Sequence, residues 1–326
     1  MIRRRDFITL LGAAVAWPLA AGAQRAMPVI GFLTGNASND NEMVVPPFRR
    51  GIGEQGYVEG HNVEILYRVP QISYDRLRLR ALAADLVRRR PAVIFAFGTT
   101  ASLAAKEATD AIPVVFANAL DPVQAGLVAS LNRPGGNVTG VTTLIVELAT
   151  KRLELLHEIA PKATSIGYLN NPSVSAVDEP SITALETAAR AFGVRLVTAT
   201  ASTPSEIERA FAVLVGEGIG ALIVGIFFFE QRDQVFALTA RYALPAMYAF
   251  REMVVAGGLI SYAGSIPEAV RLAGTYVGRI LKGEKPADLP VQQATRIETV
   301  LNLKTAKALG LDIPATVYAR ADEIIE

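Results

Sequence analysis

From Val29 onward, short β-branched apolar runs alternate with longer stretches in which apolar residues recur at helical spacing. Residues 29–33, 62–68, 92–97, 114–117 and 138–142 read as strands, as do 165–169, 195–200, 221–225 and 259–262. Residues 74–90 give the clearest helix. Leu79, Leu82, Ala83 and Leu86 form its apolar face, and Arg88, Arg89 and Arg90 place cations at its C-terminus before Pro91, which cannot continue it. That arginine run reads as a solvated helix end rather than a binding patch. Alternation of this kind predicts an α/β chain whose parallel sheets are covered by helices on both faces.

The alternation also repeats. Pro91-Ala-Val-Ile-Phe-Ala-Phe-Gly98, a helix and Ala111-Ile-Pro-Val-Val-Phe-Ala-Asn118 parallel Gly220-Ala-Leu-Ile-Val-Gly-Ile-Phe227, a helix and Ala243-Leu-Pro-Ala-Met-Tyr-Ala-Phe250. The copies stand about 130 residues apart, far beyond a solenoid period, and so predict two similar lobes rather than an array. The expected division is 28–143 plus 261–285 for the first lobe and 144–260 plus 286–326 for the second.

Ahead of this region, Arg3, Arg4 and Arg5 precede Asp6 and an apolar run over 7–21, with Ala21-Gly22-Ala23 offering a cleavage site before Gln24. The arginines fit a twin-arginine export signal, with a Sec signal the other reading. A membrane span needs about 20 apolar residues, more than this run supplies. With no cysteine there is no lipid attachment site, so a soluble periplasmic product is expected. Removing residues 1–23 takes three of 32 basic and one of 31 acidic side chains, leaving a net charge of −1 and no basic footprint for nucleic acid. It also removes Trp17, the one tryptophan. Two isolated histidines, His61 and His157, and the lack of cysteine argue against a metal centre or a thiol nucleophile. No Gly-x-Ser-x-Gly elbow, Walker A or Gly-x-Gly-x-x-Gly sequence occurs, so no catalytic residue or cofactor is expected.

In open parallel sheets ligands bind beyond the carboxyl ends of the strands. Thr34 and Asn36 follow the first strand; Gly98, Thr99 and Thr100 follow the third, where helix amides and hydroxyls could hold a carboxylate or simply begin a capped helix. Asp121 follows the fourth and could accept a ligand donor or cap its own turn. In the second half, Phe227-Phe228-Phe229 follows a strand directly, so one ring is expected to face the cleft and stack on a flat ligand while the others pack inside. Arg251 could pair with a ligand carboxylate or with an acidic side chain.

Gly98-Thr-Thr-Ala-Ser-Leu-Ala-Ala-Lys106, Arg133-Pro-Gly-Gly-Asn-Val-Thr-Gly140, Lys151-Arg-Leu-Glu-Leu-Leu156, Gly257-Gly-Leu-Ile-Ser-Tyr262, Ile280-Leu-Lys-Gly-Glu-Lys-Pro-Ala-Asp-Leu-Pro290 and Asn302-Leu-Lys-Thr-Ala-Lys-Ala-Leu-Gly-Leu311 together resemble ABC-transporter periplasmic substrate-binding proteins, in particular those that bind tryptophan or tyrosine. The resemblance implies a type I periplasmic-binding fold: two doubly wound parallel-sheet lobes joined by a three-crossover hinge. It also implies a monomer that traps a small molecule between its lobes and docks on an inner-membrane permease. Carried over to this chain, the ligand site would comprise Thr34, Asn36, Thr99, Thr100 and Asp121 from the first lobe, with Asn170, Ser173, Phe227, Arg251, Tyr262 and Ser265 from the second lobe or the hinge. Amino-acid binders similar to it carry polar or acidic residues after the strand ending at Gly225, where this chain has Ile226 and three phenylalanines. That departure tilts the expected ligand towards an apolar or aromatic molecule, an aromatic acid included. A sensory ligand-binding module and a secreted α/β enzyme are the competing classes.

Overall fold

The computed structural model describes residues 27–36, 43–73, 75–143, 147–172, 175–294 and 296–326; the leader and Ser173 lie outside the described residues. The first lobe runs β1 (Val29–Thr34), α1 (Val45–Glu54), β2 (Glu64–Arg68), α2 (Arg76–Arg88), β3 (Val93–Phe97), α3 (Thr99–Ala108), β4 (Val114–Asn118) and β5 (Val138–Thr142). The second runs α4 (Ala149–Ile159), β6 (Ser165–Asn170), α5 (Ser175–Phe192), β7 (Arg195–Thr200), α6 (Pro204–Gly216), β8 (Ala221–Val224), α7 (Arg232–Arg241), β9 (Ala246–Tyr248), α8 (Arg251–Val255) and β10 (Ile260–Gly264). The chain ends with α9 (Ile266–Leu281), β11 (Gln292–Gln293), β12 (Ile297–Asn302), α10 (Leu303–Ala308), α11 (Ala315–Tyr318) and β13 (Glu323–Ile325).

Two sheets result, ordered β11-β5-β4-β3-β1-β2 and β13-β12-β10-β9-β8-β6-β7. The order β2-β1-β3-β4-β5 of one is matched by β7-β6-β8-β9-β10 of the other, so the repeated strand-helix-strand units occupy equivalent places. β4, β5, β6 and β8 are buried along their whole length because helices cover both faces, which is why they read as unbroken apolar runs. Pairing is parallel throughout the first sheet, and the antiparallel β10–β12 pair interrupts it in the second.

Helix ends follow local chemistry. Asp75 caps α2 by accepting from the Arg78 amide at 3.0 Å, and Thr203 with Glu206 forms a capping box on α6. α2 stops at Arg88 rather than 90 because a residue before proline is barred from helical conformation; Arg90 turns the chain with φ 52°.

The lobe division needs correcting at two crossings. Ser261–Gly264 does not return to the first lobe, since all of β10 pairs with β12, out to Gly264 opposite Ile297. The crossing back comes after 285: Leu289, Val291 and Ala294 bury in the first lobe's core, and β11 adds to β5. The three crossings therefore lie at 143–149, 264–266 and 294–297. α9, reached by the second, covers β3, β4 and β5 just as α4 covers β8, β9 and β10.

Candidate functional site

The carboxyl ends of β1, β3, β4 and β8 converge on a cavity of about 100 Å³ between the lobes. Strand order 2-1-3-4-5 places a switch point between β1 and β3, the position where such sheets open a crevice. Thr34, Asn36, Thr99, Thr100 and Phe227 all line this cavity, so five of the residues singled out from sequence are brought together.

Gly98 makes the entry to α3 possible. Its φ of 88° is open to glycine, and as a residue without a side chain it leaves the helix N-terminus uncapped. The first amides of α3 thus meet no capping side chain among the described residues at the positive helix end. Thr100 Oγ is buried beside them without a partner, and the close backbone of Gly35 makes room for it: a Cβ there would stand 2.9 Å away. Thr34 Oγ accepts from the Asn36 amide at 3.2 Å.

Asn118, the last residue of β4, is the polar wall that sequence reasoning passed over in favour of Asp121. It is 4 % exposed, and neither its Oδ1 nor its Nδ2 has a partner. Its backbone is fixed: the carbonyl accepts from the Thr143 amide at 2.9 Å. The available signal was position, a polar residue ending a fully buried strand.

Across the cavity, Ile226–Phe228 forms a 3₁₀ turn. With three residues per turn rather than alternation, Ile226, Phe227 and Phe229 reach the cavity while Phe228 is 2 % exposed in the core. Phe229 meets Phe250 edge to face, with centroids 6.4 Å apart and planes at 77°, and the Arg232 guanidinium lies 4.8 Å from its ring centroid. Phe250 packs against core clusters of both lobes. Glu230, next in sequence and exposed, is the one charged side chain among the described lining residues.

Other expected site residues are placed elsewhere. Asp121 caps its own turn, accepting from the amides of Val123 at 2.7 Å and Gln124 at 3.2 Å. Asn170 is buried at the end of β6 with Oδ1 unpartnered, outside the cavity lining. The Tyr262 ring packs on the second lobe's core while its carbonyl accepts from Arg152 Nε at 2.8 Å. Burial pushes that guanidinium down to about 10. Ser265 caps α9 through the Glu268 amide at 3.4 Å. Arg251 grips Glu323 with two bonds of 2.7 Å.

Arg251 and Ser265 border a second cavity of about 240 Å³ at the hinge, with Glu252 and Glu298. It lies beside the crossover, has no aromatic wall, and its arginine is already paired. Arg251→Ala is expected to leave ligand affinity within about twofold and to cost at most about 1 kcal/mol in thermal unfolding, since both partners are over a third exposed.

The lobes stand together: Ser73 of the first donates to Glu230 Oε1 of the second at 2.5 Å, across the mouth. A chamber between two lobes, walled by rings and by unpaired amide groups, is a device for holding a small molecule; the fold and site define a two-lobed solute-binding protein. A family model, "ABC transporter substrate binding protein", matches residues 29–325, and the chain belongs to that family, whose members bind solutes rather than catalyse reactions. A "Tyrosine-binding protein" of Clostridioides difficile (strain R20291) is 30% identical over 282 residues, covering 85% of this chain and 80% of the relative. A Streptococcus pneumonia ABC domain solved in complex with L-Trp is 26% identical, with TM-score 0.82 over 91% of this chain and 99% of that one. A ligand-free, open substrate binding protein of Clostridium difficile with adhesive properties has the same identity and coverages, 26%, 91% and 99%, yet a TM-score of 0.67. The lower match to the open form accords with lobes that are closed here.

Proposed function

We propose that this chain is the solute-binding component of an ABC importer and that its ligand is an aromatic α-amino acid. Exported by its twin-arginine leader, it works in the periplasm as a monomer, without metal or cofactor, and passes the ligand to an inner-membrane permease. The observation that carries this reading is the charge pattern of the cavity: aromatic walls, an uncapped helix N-terminus on one side, and a single carboxylate, Glu230, on the other. The ligand carboxylate sits on the first amides of α3 with the Thr100 hydroxyl, its ring lies against Phe227 and Phe229, and its ammonium faces Glu230. Thr34 and Asn36 complete the first-lobe wall.

A simple aromatic acid would bring a second negative charge towards Glu230 with no cation among the described lining residues to balance it. This revises the tilt towards such acids, because Glu230 supplies a carboxylate directly after the three phenylalanines. The relatives' tyrosine and L-Trp ligands support the same class. An aromatic side chain takes about 150–250 Å² out of water, a gross gain of roughly 4–6 kcal/mol. The rings therefore supply most of the affinity, and Glu230 supplies the choice among aromatic molecules.

Titration with L-tyrosine, L-tryptophan and their desamino acids tests this. The amino acids are expected to bind more tightly and to be recovered unchanged. Glu230→Gln should weaken them about tenfold while improving the desamino acids, as expected for removing one charge-assisted contact. Equal binding of both classes to the unmodified protein would overturn the assignment.

A further inference from the structure

The bond between Ser73 and Glu230 joins residues 157 positions apart, on opposite lobes. Ser73 lies in the segment joining β2 to α2, at the carboxyl end of the first sheet, and is half-buried. Glu230 follows the 3₁₀ turn that carries the aromatic wall. One of its oxygens is thus occupied by a hydroxyl from the other lobe, while the same side chain contributes to the cavity lining. A carboxylate has acceptor capacity for both a hydroxyl and an ammonium at once.

We propose that Ser73 is a positioning residue that couples recognition of the ligand's ammonium to lobe closure. Its hydroxyl holds Glu230 Oε1, fixing the carboxylate so that Oε2 meets the ammonium, and this bond can form only once the lobes have come together. An amino-acid ligand draws Glu230 to the mouth and so presents the acceptor that Ser73 needs. A desamino ligand leaves Glu230 free to turn to solvent, and the latch contributes little. Ser73 is then a determinant of how long a particular ligand class is held rather than of how fast it enters, because the contact forms after encounter. The inference rests on the aromatic amino-acid reading of the site.

The test measures association and dissociation of radiolabelled L-tyrosine and of 3-(4-hydroxyphenyl)propionate with the full chain, Ser73→Ala and Ser73→Thr. For Ser73→Ala, L-tyrosine is expected to dissociate about tenfold faster with an unchanged association rate, as for loss of one hydrogen bond to a charged group. The desamino acid should dissociate at the unmodified rate, and Ser73→Thr, which keeps the hydroxyl, should restore slow release of L-tyrosine. Equal acceleration for both ligands would mark Ser73 as a general support of the closed form and overturn the coupling, as would wild-type release of L-tyrosine from Ser73→Ala. Failure of the unmodified protein to prefer L-tyrosine is a separate outcome, and it overturns the ligand assignment and the coupling together.

Discussion

Gly51→Ala is expected to destabilise the protein by about 3 kcal/mol or more, a fall of roughly 5 °C or more in unfolding temperature, although the same change favours an exposed helix by about 1 kcal/mol. The sign is decided by where Gly51 sits. α1 crosses α9 with backbone against backbone, and a Cβ on Gly51 would stand 2.0 Å from the Arg271 carbonyl oxygen and 2.9 Å from Gly274 Cα. Neither atom can rotate away, so the two helices must separate, loosening the apolar cluster that includes Phe48, Ile52, Val270 and Val277. Gly53, two residues on in α1, has nothing within 4 Å of an added Cβ, and Gly53→Ala is expected to gain stability by up to about 1 kcal/mol. Calorimetry on the pair separates propensity from packing, and a stabilised Gly51→Ala would refute the close crossing. Ligand affinity should fall with Gly51→Ala as well, because Ile266 and Ala269 at the start of α9 line the cavity.

That crossing also shows where sequence reading stops. The strands were legible because full burial forces unbroken β-branched runs, and the repeat was legible because equivalent strands carry the same pattern in both lobes. The lobe that α9 joins was legible, since 261–285 was assigned to the first; its packing partner was not, because α1, which it crosses, lies more than 200 residues earlier in the chain. The boundary at Ser261–Gly264 failed for the same reason, because the strand is completed by a later antiparallel neighbour. At the site, position after a strand identified Thr34, Thr99, Thr100 and Phe227, which the cavity gathers. It could not tell which polar groups are consumed elsewhere. Asp121 and Ser265 satisfy amides two or three residues away, the common fate of short polar side chains at turns and helix starts, and Arg251 is taken by Glu323 from the far end of the chain. Glu230 was obscured by the three phenylalanines before it, whose register follows a 3₁₀ turn instead of strand alternation.

Asn118→Leu should separate binding from folding more sharply than any other change at the site. The Asn118 amide is buried with a donor and an acceptor that no protein group meets, an arrangement that costs stability. Leucine has a similar shape and removes that cost, so the variant is expected to unfold at higher temperature, with a gain of about 1 kcal/mol. Its effect on the ligand is opposite. If Nδ2 donates to the ligand carboxylate while Oδ1 accepts from the ammonium, leucine leaves two polar ligand groups facing an apolar wall. The expected loss is roughly 2 to 3 kcal/mol, about 100-fold in Kd for an aromatic amino acid. A residue present only to hold β4 would show the reverse, lower stability with little change in affinity. Thermal unfolding and calorimetric titration of the same preparation therefore distinguish the two roles by sign.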